Sequence, residues 1–336
     1  MELKDRKNEI LRIVVNGYIE TGEPVGSKLV AEKLGGVSSA TIRNDMAELE
    51  RIGLLEQPHT SSGRIPTVDA YRLFVSRLMP KEPLPEAVRS EVLAELRGGS
   101  SSAGALLERA SQLLARMTEC ASVAITPYIK GVKLLKMNLF VVDKCVYIVV
   151  AVTSDGVTTP RTCRTRTEVS NEELLTISKA INERFADREI SAELASEMDM
   201  LCRELELSGD GNILCSTALA TLSDCESGSV YIGGVSQLLN KANPLTAHRV
   251  VELLDRRESL SEVLRRIHGP NATVFLGDDS HDERLSQAAV IGCGYGTPMG
   301  EGSVALIGPV RLNYRDAVAS VDFVAKTLSE MLSEEY

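Results

Sequence analysis

Apolar side chains recur every three or four residues through the first fifty positions, which is the spacing of a buried helix face. Beyond them, two short apolar segments flank a polar loop, a pattern typical of a small β-hairpin. The predicted elements are helices over 3–20, 27–34 and 39–52 and strands over 54–56 and 65–67. Ser38 is a good N-cap for the third helix, and Gly53 can supply the left-handed residue that ends it. Three helices and a hairpin predict a winged helix-turn-helix domain over residues 1–79, which we expect to fold independently.

The third helix is the predicted recognition helix. If Ile42, Met46 and Leu49 face the core, the sides and front of the helix hold Ala40, Thr41, Arg43, Asn44, Ala47 and Arg51. Small residues at the leading end let a helix enter the major groove, where Arg43 can bond guanine and Asn44 adenine. The alternative is that Arg43 and Asn44 only form a solvated face.

Phosphate contacts are predicted on either side of this helix. Ser38, Ser39 and the free amides of the first turn suit a phosphate oxygen. The loop of the hairpin is the predicted wing, with Gly63 for a tight turn and Arg64 for a phosphate or the minor groove. The other predicted wing contacts are His59, Thr60 and Ser61. The alternative is that Ser38 merely caps the helix and that 57–64 is an ordinary loop.

The remaining chain predicts an α+β fold. The Pro-rich segment "MPKEPLPE" at 79–86 indicates a linker. Helical and strand-like patterns then alternate in blocks, which is typical of one α+β domain interrupted by an insertion. Helices are predicted over 86–97, 104–119, 171–207, 213–222 and 246–267, and strands over 121–126, 132–142, 144–152, 272–276, 288–292 and 303–309. The run "RTCRTRT" at 161–167 indicates either a basic patch or an edge strand with a solvated face.

Charge separates the two parts of the chain. The 336 residues carry a net charge of −10 with 43% hydrophobic residues, so the chain can bury cores. Residues 1–79 hold 11 basic and 11 acidic residues, which leaves 26 basic and 36 acidic residues for the remainder. A neutral head on an acidic body is compatible with DNA binding through the head. Without an apolar membrane span or a signal-like start, we expect a cytoplasmic, nucleoid-associated protein with no membrane partner.

Catalytic and cofactor chemistry finds little support in the sequence. The glycine-rich "IGCGYGTPMG" at 291–300 has Thr297 where a dinucleotide motif needs its third glycine, so we interpret the glycines as loop turns. The four histidines and seven cysteines lack metal-ligand spacing, and "GDDSHDE" at 277–283 is interpreted as a solvated loop rather than an acid–base cluster. We therefore expect the protein to have no enzymatic activity and to bind no metal and no cofactor.

The N-terminal motifs "GEPVGSK", "SSATIRNDMAELE", "GLLEQPHTS" and "GRIPT" closely resemble the start of the HrcA family of bacterial heat-inducible transcription repressors. The family's usual wing has Ala where this chain has Ser62. The segment "EGSVALIGPVRLNYRDAVASVDFVAKTLSEML" near the C-terminus resembles the closing strand and helix of the same family. The resemblance therefore spans both ends of the chain.

The resemblance implies a domain plan and a function. The plan comprises a winged helix (1–79), a linker and connecting helix (80–103), a GAF-like domain in two segments (104–167 and 246–336) and an inserted dimerising domain (168–245). It implies a homodimer that binds double-stranded DNA at the inverted repeat called CIRCE, represses chaperone genes of the groESL and dnaK type and depends on the GroEL chaperonin. An alternative function is a metabolite-responsive winged-helix regulator whose GAF-like domain is a ligand sensor.

Overall fold

The computed structural model divides into two compact units. It describes residues 5–59, 62–80, 82–98, 102–128, 131–154, 156, 158–205, 207, 210–227, 229–280, 282–298 and 300–335. The first unit falls within residues 1–125, 230–295 and 303–336, and the second within 126–229 and 296–302. Among the described helices, none is both long and apolar enough to cross a membrane.

The first unit begins with the predicted winged helix. Its elements are α1 (Asp5–Thr21), α2 (Ser27–Leu34), α3 (Ser39–Arg51), β1 (Leu55–Glu56), β2 (Ile65–Pro66) and α4 (Val68–Leu73), and a π-helical turn (Phe74–Leu78) continues α4. Strands β1 and β2 pair antiparallel, as the hairpin prediction requires. The sequence pattern did not predict α4 or the π-helical turn.

A five-stranded sheet forms the centre of the first unit. Its strands, in the order β8-β3-β11-β10-β9, are β8 (Val230–Gly233), β3 (Ala121–Tyr128), β11 (Gly300–Pro309), β10 (Ala288–Thr297) and β9 (Thr273–Leu276). Alternate residues of β10 bury on opposite faces, with Ala289 and Ile291 in one core and Val290 in another. Helices cover both faces of this sheet, so both sets of side chains are buried. This explains why the strand sequences are continuous apolar runs.

Helices pack on each side of this sheet. One core includes residues of α5 (Glu86–Arg97), α6 (Ala103–Thr118) and α13 (Tyr314–Glu335). The other includes residues of α10 (Val235–Lys241), α11 (Pro244–Asp255) and α12 (Arg257–Leu264). The predicted boundaries of the helices at 86–97 and 104–119 agree with α5 and α6 within one residue.

The winged helix shares its core with the rest of the first unit. The buried side chains of α1 and α3 belong to the same cluster as those of α6, α13 and the sheet. The rings of Tyr71 and Tyr314 lie 5.6 Å apart between centroids. Arg72 donates to both carboxylate oxygens of Asp279, at 3.1 and 2.9 Å. The expectation that residues 1–79 fold independently therefore conflicts with a core that continues past residue 79.

The described residues of the second unit form a four-stranded sheet with three helices. The strands, in the order β6-β5-β4-β7, are β6 (Thr158–Arg164), β5 (Val146–Thr153), β4 (Lys133–Asp143) and β7 (Arg188–Glu189). The helices are α7 (Asn171–Phe185), α8 (Ala192–Glu204) and α9 (Gly211–Ser227). One face of β4 and β5 buries against them, so that Met137 of β4 and Tyr147 of β5 share a core with Ile177 of α7. Strand β6 lies at the edge of the sheet, as the edge-strand interpretation of "RTCRTRT" predicts.

An interruption of the main domain was expected, but the compact units have other boundaries. Residues 126–167 fall in the second unit rather than in the predicted segment 104–167, because β4, β5 and β6 pair with each other and pack on its helices. Residues 230–245 fall in the first unit, because β8 pairs with β3. The term GAF-like for the sheet of the first unit stays a prediction from the resemblance.

The glycine-rich segment at 291–300 is largely strand, and the interpretation of its glycines as loop turns was wrong. Residues up to Thr297 belong to β10. A Cβ atom at Gly292 would lie 2.3 Å from the side chain of Ile267, and one at Gly294 would lie 2.9 Å from the backbone of Gly269. The absent side chains therefore let the chain at 267–269 lie directly on the strand.

Candidate nucleic-acid interface

Local capping interactions fix the ends of α3, the predicted recognition helix. The Ser38 hydroxyl accepts a hydrogen bond from the Thr41 amide at 3.2 Å, as the N-cap prediction requires. At the other end Gly53 has a φ of 80°, and the Leu54 amide donates to the Leu49 carbonyl at 2.9 Å. This Schellman arrangement ends the helix at a defined residue. Both ends follow from residue types that the sequence displays.

The exposed face of α3 is the one that the sequence predicted. Ile42, Met46 and Leu49 are buried, whereas the exposed residues of the helix include Ala40, Arg43, Asn44, Ala47 and Arg51, with Thr41 half-buried. Within the described part of the chain, the side chains of Arg43 and Asn44 form no hydrogen bond and no ion pair. Both side chains therefore retain their donors for a base edge.

The carboxylates of α3 are paired with cations from outside the helix. Asp45, largely buried, accepts two hydrogen bonds from Arg6 of α1, at 2.8 and 3.1 Å. The Lys7 Nζ lies 2.6 Å from the Glu48 Oε1. The hydrogen bond from Lys7 and its positive charge lower the pKa of Glu48. Pairing reduces the repulsion that these acids would exert on DNA phosphates. Arg6, Lys7 and Asp45 were not among the predicted site residues, although an acidic residue within the apolar stripe of α3 is a signal for such a partner.

The two serines at the start of α3 are held by neighbouring hydroxyls. The Ser38 and Thr41 hydroxyls lie 3.0 Å apart, and the Ser39 hydroxyl lies 3.0 Å from that of Ser27 on α2. The amides of Ser39 and Ala40 begin the helix and have no intrahelical acceptor. The start of α3 therefore offers backbone donors, while its serine side chains are already engaged in capping and helix–helix contacts.

The root of the wing is fastened to the turn before α2. Val25 and Arg64 exchange two backbone hydrogen bonds, each 2.9 Å long. A Cβ atom at Gly63 would lie 2.4 Å from the Val25 carbonyl carbon and oxygen. Gly63 does not have a positive φ. Glycine is therefore required for this close approach, and the prediction that it supplies a tight turn is corrected.

Ser62 closes the described end of the wing. Its amide and hydroxyl both donate to the His59 carbonyl, at 2.9 and 2.6 Å, and the His59 amide donates back to the hydroxyl at 3.0 Å. Ser62 stands where the usual family motif has Ala, and its hydroxyl thus stabilises the loop. His59 is exposed. The predicted contacts Thr60 and Ser61 lie outside the described residues.

Arg64 is less accessible than the sequence suggested. Its Nε donates to Glu50 of α3 at 3.0 Å, and only 16% of the side chain is exposed. The arginine therefore joins the wing to the recognition helix and neutralises a third carboxylate of that helix. Its contact with a phosphate or the minor groove stays a prediction.

Comparison with known proteins covers nearly the entire chain. Residues 2–78 match the family model described as "Winged helix-turn-helix transcription repressor, HrcA DNA-binding", and residues 104–318 match "HrcA protein C terminal domain". The heat-inducible transcription repressor HrcA of Clostridium perfringens is 33% identical over 352 residues, which cover 99% of this chain and 100% of that protein. The HrcA of Moorella thermoacetica is also 33% identical, over 349 residues and 100% of both chains.

A solved structure confirms the fold over the same length. It is described as "Crystal structure of a hypothetical protein at 2.2 A resolution", is 24% identical and covers 100% of both chains with a TM-score of 0.63. Two family models and relatives of full length agree with the winged helix. The chain belongs to the HrcA family of heat-inducible transcription repressors.

Proposed function

We propose that α3 gives this repressor its sequence specificity, with Arg43 and Asn44 reading base edges. The observation that carries this proposal is the exposed face of α3, where these two side chains, without partners among the described residues, follow the small residue Ala40. Ser38, Ser39, Thr41 and Arg51 flank these residues and are proposed to contact phosphates. His59, Gly63 and Arg64, with Thr60 and Ser61, are proposed as the wing's contribution.

Titration of the full chain with its operator and with random DNA tests this assignment. Arg43→Ala and Asn44→Ala should each cost roughly 1–3 kcal/mol at the operator and far less on random DNA. Lys28→Ala is a control, since this exposed cation lies on α2 outside the proposed face. Equal losses of affinity on both DNAs would show that Arg43 and Asn44 contact phosphates or stabilise the fold rather than read the base sequence.

We propose that the repressor dimerises through its second unit. Six of the ten exposed large hydrophobic side chains among the described residues belong to that unit. Phe140 and Val142 on β4 are 49% and 62% exposed. Phe140 pairs across the strands with Ile148 of β5, on the opposite face from the buried Tyr147. The free face of this sheet thus offers apolar surface of the kind that obligate dimers bury.

Sedimentation of two matched variants tests the dimer. Phe140→Asp should shift the protein towards monomer and weaken binding to an inverted repeat more than binding to a single half-site, since pairing raises the effective concentration of the second head. Leu29→Asp places the same charge on a 41% exposed leucine of the first unit and should leave the dimer intact. A Phe140→Asp protein that remains fully dimeric would move the interface elsewhere.

Family membership supports CIRCE as the operator and GroEL as the chaperonin partner. In this proposal heat-damaged proteins occupy GroEL, so the repressor remains poorly folded and repression of the chaperone genes ends. Operator binding would place the protein at the nucleoid. Footprinting upstream of chaperone genes should protect an inverted repeat. Operator binding after mild heating should recover better with GroEL than with an equal mass of albumin, and equal recovery would argue against the chaperonin.

A further inference from the structure

Two cysteine thiols are in contact inside the second unit. Cys202 lies two residues before the end of α8, and Cys215 is the fifth residue of α9. Both belong to the core that these helices share with β4, β5 and α7. Their thiols form a hydrogen bond with each other, and only 5% of Cys202 and 3% of Cys215 is exposed. The sequence, which has no CxxC motif at these positions, did not indicate this contact.

The other buried thiols of the protein have different surroundings. Cys120 donates to the Thr118 carbonyl at 3.4 Å, and Cys293 donates to the Gly294 carbonyl at the same distance. Burial raises the pKa of Cys120 to about 11 and that of Cys293 to about 12. These two residues fit the ordinary role of a buried cysteine as a small apolar side chain.

The contact between Cys202 and Cys215 makes the two thiols chemically unequal. The hydrogen bond from Cys215 lowers the pKa of Cys202, because it stabilises a thiolate there. The same contact and burial raise the pKa of Cys215. The thiolate is the nucleophilic form of cysteine, so Cys202 is the residue that reacts first with an oxidant.

Two touching thiols suit either a metal ion or a disulfide bond. A metal site needs further ligands, and among the described residues no group of three or more His, Cys, Asp and Glu side chains is placed to hold a metal. A disulfide needs only the two sulfurs, which must approach each other closely. The pair therefore favours a disulfide.

We propose that Cys202 and Cys215 form a reversible disulfide when the protein meets hydrogen peroxide. The Cys202 thiolate attacks one peroxide oxygen, so that an S–O bond forms, the O–O bond breaks and the departing hydroxide takes up the Cys202 proton as water. The Cys215 sulfur then attacks the Cys202 sulfur. The S–S bond forms, the S–O bond breaks and hydroxide leaves with the Cys215 proton as a second water. The two thiols are oxidised, and one peroxide is reduced to two waters.

The disulfide ties α8 to α9. It restricts the unfolded chain more than the folded one, so it makes the second unit harder to unfold. Peroxide is small and uncharged, and it reaches the buried pair when the unit opens locally. The repressor is proposed above to dimerise through this unit, but the disulfide does not depend on that proposal.

Peptide mapping of the full chain tests the site. The protein is treated with hydrogen peroxide, denatured, alkylated with N-ethylmaleimide and digested with trypsin, which cleaves after Arg203 between the two cysteines. Cys202 and Cys215 should escape alkylation together and appear as one cross-linked pair of peptides, which dithiothreitol should separate. Cys120 and Cys293 should remain open to alkylation.

Single variants test the order of the two steps. Cys202→Ala should leave Cys215 as a thiol, whereas Cys215→Ala should leave Cys202 as a sulfenic acid that dimedone labels. Cys293→Ala is the matched control, since it removes a buried thiol from the first unit and should leave the disulfide unaffected. The site would be overturned if peroxide left both cysteines open to alkylation, or if peptide fragmentation showed a bond to Cys163 or Cys225 instead.

Calorimetry tests the effect on stability. Oxidation should raise the unfolding temperature of the second unit by at least about 5 °C. The transition of that unit is the one that Ile177→Ala lowers, because Ile177 is fully buried in its core. Oxidised Cys202→Ala should show no such rise. Equal unfolding temperatures for oxidised and reduced protein would overturn the stabilising role, and operator binding by the reduced protein tests the proposed function separately.

Discussion

The same substitution at two touching tyrosines should affect stability differently, with only one of the two variants destabilised. Tyr71 of α4 and Tyr314 of α13 are both almost fully buried, and their rings are in contact. The Tyr314 hydroxyl donates to the Val310 carbonyl. The Tyr71 hydroxyl is buried and has no hydrogen-bond partner among the described residues. The two hydroxyls therefore differ in whether folding satisfies them.

The expected magnitudes follow from this difference. An unsatisfied buried polar group costs about 1–3 kcal/mol, so Tyr71→Phe should be neutral or stabilise the first unit by up to about 2 kcal/mol. Tyr314→Phe leaves a carbonyl without its donor and should destabilise the unit by about 1–2 kcal/mol. Tyr71→Ala removes the ring as well and should cost about 3–5 kcal/mol.

Differential scanning calorimetry and urea unfolding followed by circular dichroism measure these changes, since the chain has no tryptophan to report by fluorescence. The two compact units can unfold separately, so each variant is scored on the transition that the Tyr71→Ala variant shifts. Equal destabilisation by the two Phe variants would show that the Tyr71 hydroxyl has an acceptor and would refute the reasoning.

The same pair predicts sensitivity to alkali. Burial raises the pKa of Tyr71 and of Tyr314 above the ordinary value. The unfolded chain therefore loses these protons first, near pH 10, so the stability they contribute is complete below about pH 10 and declines as the pH rises further. Unfolding free energies from pH 8 to 11 should fall less steeply for Tyr71→Phe than for the unaltered protein. Parallel curves would contradict the assignment.

Two further predictions concern the wing. Gly63→Ala should cost about 1–3 kcal/mol and weaken binding to all DNA, because its Cβ would collide with the Val25 backbone. The exposed Gly296 of β10 meets open space, so Gly296→Ala is the control and should be nearly neutral in thermal unfolding. Arg64→Ala should lower the salt dependence of DNA binding by about one unit of slope if the guanidinium reaches a phosphate. Glu50→Ala removes the same ion pair but no phosphate contact, so matching slopes for Arg64→Ala and Glu50→Ala would limit Arg64 to a structural role.

The sequence was most informative where the determinants of structure are local. Ser38 and Gly53 mark the ends of α3 because a cap and a left-handed residue act on their own turn. The exposed face of the recognition helix followed from the helical repeat alone. The resemblance of the N-terminal motifs also pointed to the family, which the comparisons then confirmed.

Pairings between distant residues could not be predicted in this way. Asp45 pairs with Arg6, which is 39 residues away, and no periodicity indicates that partner. The boundaries of the second unit depend on which strands pair, and the apolar patterns of β4 and β8 do not specify a partner strand. The loop motif indicated that position 63 needs a glycine. It did not indicate that the backbone of Val25 is the reason.

The core that joins the winged helix to the body restricts how repressors of this construction can diverge. A DNA-binding head with its own core can be transferred between proteins as a module. Here the inner side of the head is held by Tyr314 and Asp279 of the body, so an exchanged head must bring matching contacts with it. The exposed positions of α3 carry no such constraint. New operators are therefore expected to arise by substitution on that face, while the remainder of the head and the body evolve together.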